Sequence, residues 1–240
     1  MNQDKGLSPE TIAITAGRPI VGPDSSLNHP ISLNSTFVAG GAVGYGRYGN
    51  ETWLALEEAI SALEGGRTLA YSSGMAAVTA VFSTLPVGAK VIASNQGYSG
   101  TMTLLNNYAA AKRLSVSFVS IPSTSEVINE LDGATLLWIE SPTNPGVEVA
   151  DMPTLIVAAR NLSVGVGVDN TFATPLIQNP LAMGADISRL QKWGVSEHRC
   201  AENETATDME AKAGIRAIEK SGLTADDIDL IISTPTLSEK

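Results

Sequence analysis

An α/β fold built on a mainly parallel sheet is predicted by three observations. Four short apolar or β-branched runs, at residues 90–93, 116–121, 136–139 and 164–168, have the length and composition of buried strands. Helical patterns at 101–112, 125–131 and 152–161 fill the gaps between them. Strands that alternate with helices of this size argue for a parallel sheet covered on both faces. The last run leads straight into a carboxylate, Asp169, at the strand end where open α/β sheets bind ligands.

The first element in order is a helix over 50–63. Its apolar positions Trp53, Leu54, Leu56, Ala59, Ile60 and Leu63 form one stripe, and Gly65-Gly66 stops it. A second helix covers 74–85 and ends near Pro86, which cannot continue it. Strand 90–93, helix 101–112, strand 116–121, helix 125–131, strand 136–139, helix 152–161 and strand 164–168 follow. Composition shifts near Ser188. A charged amphipathic helix is predicted over 205–221, with Thr205 or Thr207 as N-cap and Gly222 just past its end. Residues 228–233 read as one more strand. The chain therefore divides into 1–187 and 188–240, the second part a short α/β appendage.

Composition narrows the function classes. With 240 residues, 43% of them hydrophobic and 17% charged, the chain can bury a core and is not of a disordered type. Its net charge is −10 and neither end carries a basic run, so nucleic acid and anionic membrane are poor partners. The single cysteine, Cys200, excludes an internal disulfide and suits a reducing, cytoplasmic setting. No apolar stretch is long enough to span a bilayer, and residues 1–9 lack a signal-peptide core.

Several loops carry candidate chemistry. Asp169-Asn170-Thr171-Phe172-Ala173-Thr174-Pro175 offers a carboxylate that can pair with a protonated ring nitrogen, the contact a pyridoxal-phosphate enzyme needs. Ser72-Ser73-Gly74-Met75 lies between a strand-like run and a helix start. Its backbone N–H groups can hold a phosphate, or it is simply a tight turn. Tyr98, in Gln96-Gly97-Tyr98-Ser99-Gly100-Thr101, can stack on a flat heterocycle, or is a half-buried loop aromatic. Tyr45-Gly46-Arg47-Tyr48-Gly49-Asn50 can present its guanidinium to a phosphate, or is an ordinary surface turn. Glu140-Ser141-Pro142-Thr143-Asn144-Pro145 is a loop made rigid by two prolines, from which Asn144 can donate to a ligand oxygen or merely cap the turn.

Taken together, these segments resemble the Cys/Met-metabolism pyridoxal-phosphate enzymes: cystathionine γ-synthase, cystathionine lyases, methionine γ-lyase and O-acylhomoserine sulfhydrylases. The resemblance runs over about 11–187. It also includes Pro30-Ile31-Ser32-Leu33-Asn34-Ser35-Thr36-Phe37, Leu63-Glu64-Gly65-Gly66, Ser73-Gly74-Met75-Ala76-Ala77 and Gln178-Asn179-Pro180-Leu181. It implies the large domain of a fold type I transferase with pyridoxal 5′-phosphate as cofactor and a small amino acid as substrate. Gly74 and Met75 would give N–H groups to the phosphate. Tyr98 would stack on the ring, Asp169 would pair with the ring nitrogen, Asn144 would sit near the ring hydroxyl, and Thr171 would be a nearby contact. Tyr45 and Arg47 would reach the phosphate of a neighbouring subunit, which implies a homo-oligomer, dimer or tetramer.

The chain departs from the family in two places. Glu51 stands where the family has proline. After Gly184-Ala185-Asp186-Ile187 the family continues with a strand and a Ser/Thr-rich turn holding its Schiff-base lysine, then a C-terminal domain. Here the sequence reads Ser188-Arg189-Leu190-Gln191-Lys192-Trp193-Gly194. Lys192 is the one nearby candidate for that lysine, but it lacks the Ser/Thr neighbours and lies two residues closer to Gly184-Ala185-Asp186 than the family pattern, and otherwise reads as a solvated helix or loop lysine. Residues of about 191–236 instead resemble the N-terminal part of an initiating ketoacyl-acyl-carrier-protein synthase, of thiolase fold. Cys200 does not occupy that family's nucleophile position, and His198 has no catalytic partner in the sequence. Three functions are thus in view: a transsulfuration-type lyase or γ-replacement enzyme by ancestry, inactive as this chain; a non-catalytic cofactor-binding remnant or interaction module; and a condensing-enzyme fragment. A truncated or chimeric chain is the expectation.

Overall fold

Residues 6–20 and 22–185 are described by a computed structural model. The predicted helix at 205–221, the strand at 228–233, and Lys192, His198 and Cys200 lie outside the described residues. In chain order the elements are α1 (Pro9–Thr15), α2 (Glu51–Glu64), α3 (Gly74–Thr84), β1 (Ala89–Ser94), α4 (Ser99–Ala110), β2 (Leu114–Val119), α5 (Thr124–Glu130), β3 (Leu136–Glu140), α6 (Met152–Asn161), β4 (Gly165–Asp169) and α7 (Thr174–Ile177).

The four strands pair in the order β2-β1-β3-β4, and every pairing is parallel. The predicted class therefore stands: an α/β fold with a parallel sheet. Alternation along the strands explains the layers. On one face Ile92, Leu137, Ile139 and Val166 pack with Val127 and Leu131 of the α5 region and with Met152, Leu155, Ile156 and Ala159 of α6. On the other, Val91, Ala93, Leu136 and Trp138 pack with Val78 and Phe82 of α3 and Leu105 of α4. β3 is buried along its whole length because helices cover both faces. Each fully buried Leu, Ile or Phe here contributes about 1.5–3 kcal/mol of apolar burial.

Local signals set several boundaries. Asn50 caps α2: its side chain accepts from the Thr52 amide at 2.9 Å and also donates to the Ser32 carbonyl at 3.1 Å. Gly65 ends α2 in the left-handed region at φ 77°. Ser73 caps α3, accepting from the Ala76 amide at 3.1 Å. Three expectations change. The run before Ser72 is not a strand. β2 begins at Leu114, two residues before its first β-branched position, because the register with β1 starts at Ala89↔Leu114. α1 and α7 were not foreseen; both are short, and neither buries a side chain.

The centre of the sheet depends on one close approach. Trp138 of β3 pairs with Gly167 of β4. A Cβ at Gly167 would stand 2.8 Å from Trp138 Cε3 and 3.0 Å from Cζ3. The indole cannot retreat, since it also packs on Phe82 with ring centroids 5.0 Å apart. Gly167→Ala is therefore expected to destabilise the protein by about 1–3 kcal/mol, the usual cost of overpacking a core. A urea midpoint equal to that of the parent chain would contradict this.

Candidate functional site

The sheet order places a crevice before any side chain is considered. β1 continues through α4 to β2 on one side, while β3 lies against the other side of β1. The strand order reverses there, and in open parallel sheets the C-terminal ends at such a point form the ligand crevice. A cavity of about 460 Å³ lies at these ends. It is lined by Ser73, Gly74, Met75 and Val78 from the start of α3, and by Tyr98 from the loop after β1. Glu140, Pro142 and Asn144 come from the end of β3, and Asp169, Thr171 and Phe172 from the end of β4. Its size suits a small organic ligand.

Each wall follows from local sequence. α3 starts inside the cavity, so the first amides of the helix, at Gly74 and Met75, have no carbonyl a turn earlier to bond. Together with the helix dipole they favour an anion. A side chain on Gly74 would meet nothing within 4 Å, so the approach is open. Tyr98 is 43% exposed, its ring on the cavity wall. Gly100 lets that ring lie close to Met75: a Cβ there would stand 2.7 Å from Tyr98 Cε1 and 2.9 Å from Met75 Sδ.

The carboxylates come as a pair. Glu140 and Asp169 are register partners at the ends of β3 and β4. Asp169 Oδ1 accepts from the Thr171 hydroxyl at 2.6 Å and from its amide at 3.2 Å, which orients the carboxylate. Glu140 is buried, and burial pushes its carboxyl above the usual glutamate range. Backbone N–H groups of Tyr98 and Asn144 oppose that rise, and the charge of Asp169 adds to it. The cavity lining thus combines helix-start amides that favour an anion, an aromatic ring and carboxylates.

Of the residues singled out in the sequence, Gly74, Met75, Tyr98, Asn144, Asp169 and Thr171 line this one cavity. Tyr45 and Arg47 do not. They lie in a loop bridged antiparallel to Thr36, with the Arg47 guanidinium 5.0 Å from the centre of the Tyr45 ring and 5.7 Å from that of Tyr48. Ser73, Val78, Glu140, Pro142 and Phe172 also line the cavity and had no assigned role. Glu140 carried a readable signal: it follows an apolar strand run as Asp169 does. Val78 carried none, since it lies within α3 and only packing decides the face it takes.

A parallel sheet covered by helices, with a crevice at its C-terminal strand ends, is the architecture of a fold type I pyridoxal-phosphate protein. The chain belongs to the Cys/Met metabolism PLP-dependent enzymes, whose family model it matches over residues 10–191. It is 35% identical over 195 residues to a cystathionine gamma-lyase of Dictyostelium discoideum, covering 78% of this chain and 50% of the relative. It is 35% identical over 201 residues to the cystathionine gamma-synthase of Mycobacterium tuberculosis, covering 78% and 52%. The crystal structure of metB from Corynebacterium glutamicum superposes with a TM-score of 0.71 at 32% identity, covering 76% of this chain and 50% of that one. The chain spans about half the length of the curated relatives it matches. The family uses pyridoxal 5′-phosphate and acts on small amino-acid substrates. Among the described residues no helix is long and apolar enough to cross a membrane.

Proposed function

We propose that this chain is the cofactor-binding part of a transsulfuration-type enzyme, one that performs C–S lysis or γ-replacement on cysteine- or homoserine-derived amino acids. The observation that carries the reading is the convergence of Gly74, Met75, Tyr98, Asn144, Asp169 and Thr171 on one cavity. Pyridoxal phosphate, when bound, supplies an electron sink for charge that develops on the substrate. The α3 amides would hold its phosphate. Tyr98 would offer an aromatic face to the ring, and Asp169, oriented by Thr171, would keep the ring nitrogen protonated. Asn144 would donate to a ring oxygen. The donor set fits the cofactor: an anion site, an aromatic face and a carboxylate border a cavity of suitable size. Titration of the purified chain with pyridoxal phosphate, followed by absorbance, tests the reading. Saturable binding is the expected result, and its absence overturns the assignment.

The acting form is a homo-oligomer in the cytoplasm, with the site completed by a neighbouring subunit. Exposed apolar side chains crowd the segment before α2: Ile20, Leu33 and Val38 are each more than 90% exposed. In this reading a second copy covers them and receives Tyr45 and Arg47 at its cofactor phosphate. Arg47→Ala should weaken pyridoxal-phosphate binding by about tenfold, the scale of one lost charge-assisted hydrogen bond, with Tyr98 stacking unchanged. Sedimentation of the loaded chain provides the check. A strict monomer whose affinity still depends on Arg47 would contradict the shared site.

A further inference from the structure

We propose that Glu140 is a positioning residue of the cavity, holding Tyr98 and Asn144 in place through their backbone amides. The proposal rests on reading the cavity as a pyridoxal-phosphate site. Glu140 Oε2 accepts the Tyr98 N–H at 2.8 Å, and Oε1 accepts the same N–H at 3.0 Å and the Asn144 N–H at 2.9 Å. Tyr98 follows β1 and Asn144 follows β3, so one carboxylate fastens two separate loops across the mouth of the crevice. Neither bond closes a helix turn or a strand ladder.

The chain accommodates this carboxylate at a cost. A Cβ at Gly97 would stand 2.8 Å from Glu140 Oε2, so only glycine lets the loop approach so closely. The glutamate is 5% exposed and faces the charge of Asp169 on the next strand. Burying a carboxylate beside a like charge costs stability, a cost offset in part by the two backbone N–H groups it accepts from. What the carboxylate adds is two fixed amides, and the residues carrying them line the cavity. The ring face of Tyr98 and the side chain of Asn144 are thereby held ready before a ligand arrives, which lowers the ordering cost of binding.

The test measures amide hydrogen exchange in the ligand-free chain and pyridoxal-phosphate affinity by equilibrium dialysis. Glu140→Gln keeps the shape but turns an NH₂ group toward a backbone donor. Exchange at Tyr98 and Asn144 should become at least about tenfold faster, and affinity about tenfold weaker, the scale of one lost hydrogen bond to a charged group. Should this variant fail to fold by circular dichroism, Glu140→Asp serves instead, its carboxylate too short to reach both amides. In a Tyr98→Ala/Asn144→Ala background, Glu140→Gln should change the affinity by less than about twofold, because no side chains remain to position. An equal loss in both backgrounds overturns the proposal, as does faster exchange with unchanged affinity. Binding that depends on Asp169 but survives Glu140→Gln overturns it alone. A parent chain that does not bind pyridoxal phosphate overturns it together with the cavity reading.

Discussion

Asp169→Ala should weaken pyridoxal-phosphate binding by about 10- to 100-fold, the scale of a hydrogen bond to a charged group. The carboxylate ends β4 at the sheet's C-terminal edge, and the Thr171 hydroxyl and amide hold its Oδ1. Those two bonds leave the other oxygen for a protonated ring nitrogen. Alanine removes that partner and leaves the α3 amides and Tyr98 intact. The loss should therefore appear in affinity, with the unfolding midpoint of the ligand-free chain little changed. Relief of like charge should also ease the burial of Glu140, its register partner. Equal retention of pyridoxal phosphate by variant and parent, measured by dialysis, would sink the role given to Asp169.

Turnover by the purified chain should be at least about 10³-fold below that of a full-length relative, the scale of a missing general acid–base group. The chemistry requires a lysine that first holds the cofactor and then carries the substrate's α-proton. The family match ends at residue 191, and the next residue is Lys192, flanked by Gln191 and Trp193 rather than by hydroxyl side chains. In the proposed site phosphate, ring and ring nitrogen would each keep a partner at the cavity, so binding should outlast catalysis. Borohydride reduction of the loaded chain, then peptide mapping, reads this directly. A single pyridoxyl-lysine at Lys192, with keto-acid release abolished by Lys192→Ala, would restore the chain as a working enzyme.

The candidate site was legible where chemistry marks the chain locally. Gly74 and Met75 at a helix start, Tyr98 between glycines, Asn144 in a proline-flanked loop, and Asp169 and Thr171 after an apolar run each carry their own signal. Six such residues meet at one cavity. The carboxylate Glu140 sat in an equally marked place, yet its role was hidden because its partners are backbone amides 42 and four positions away. Backbone amides leave no trace in a residue pattern. The glycines at 97 and 100 were visible as letters. Only the close approach of Glu140 to one, and of Tyr98 and Met75 to the other, explains them.

By itself the sequence determined the class of fold, the four strand runs and the helices between them, because burial on both faces demands continuous apolar strands and period-matched helices. It also marked the loops that line the cavity: Tyr98, Asn144, Asp169 and Thr171 follow strand runs, and Gly74 and Met75 open a helix behind a serine cap. Tertiary structure alone decided the strand order and the register. The order β2-β1-β3-β4 creates the crevice, and the register sets Glu140 beside Asp169. It alone started β2 at Leu114, through pairing with Ala89, and left the apolar stripe of α2 without a buried side chain. Local patterns record what each residue prefers; which strand lies next to which is a long-range choice made by packing, and no window along the chain contains it.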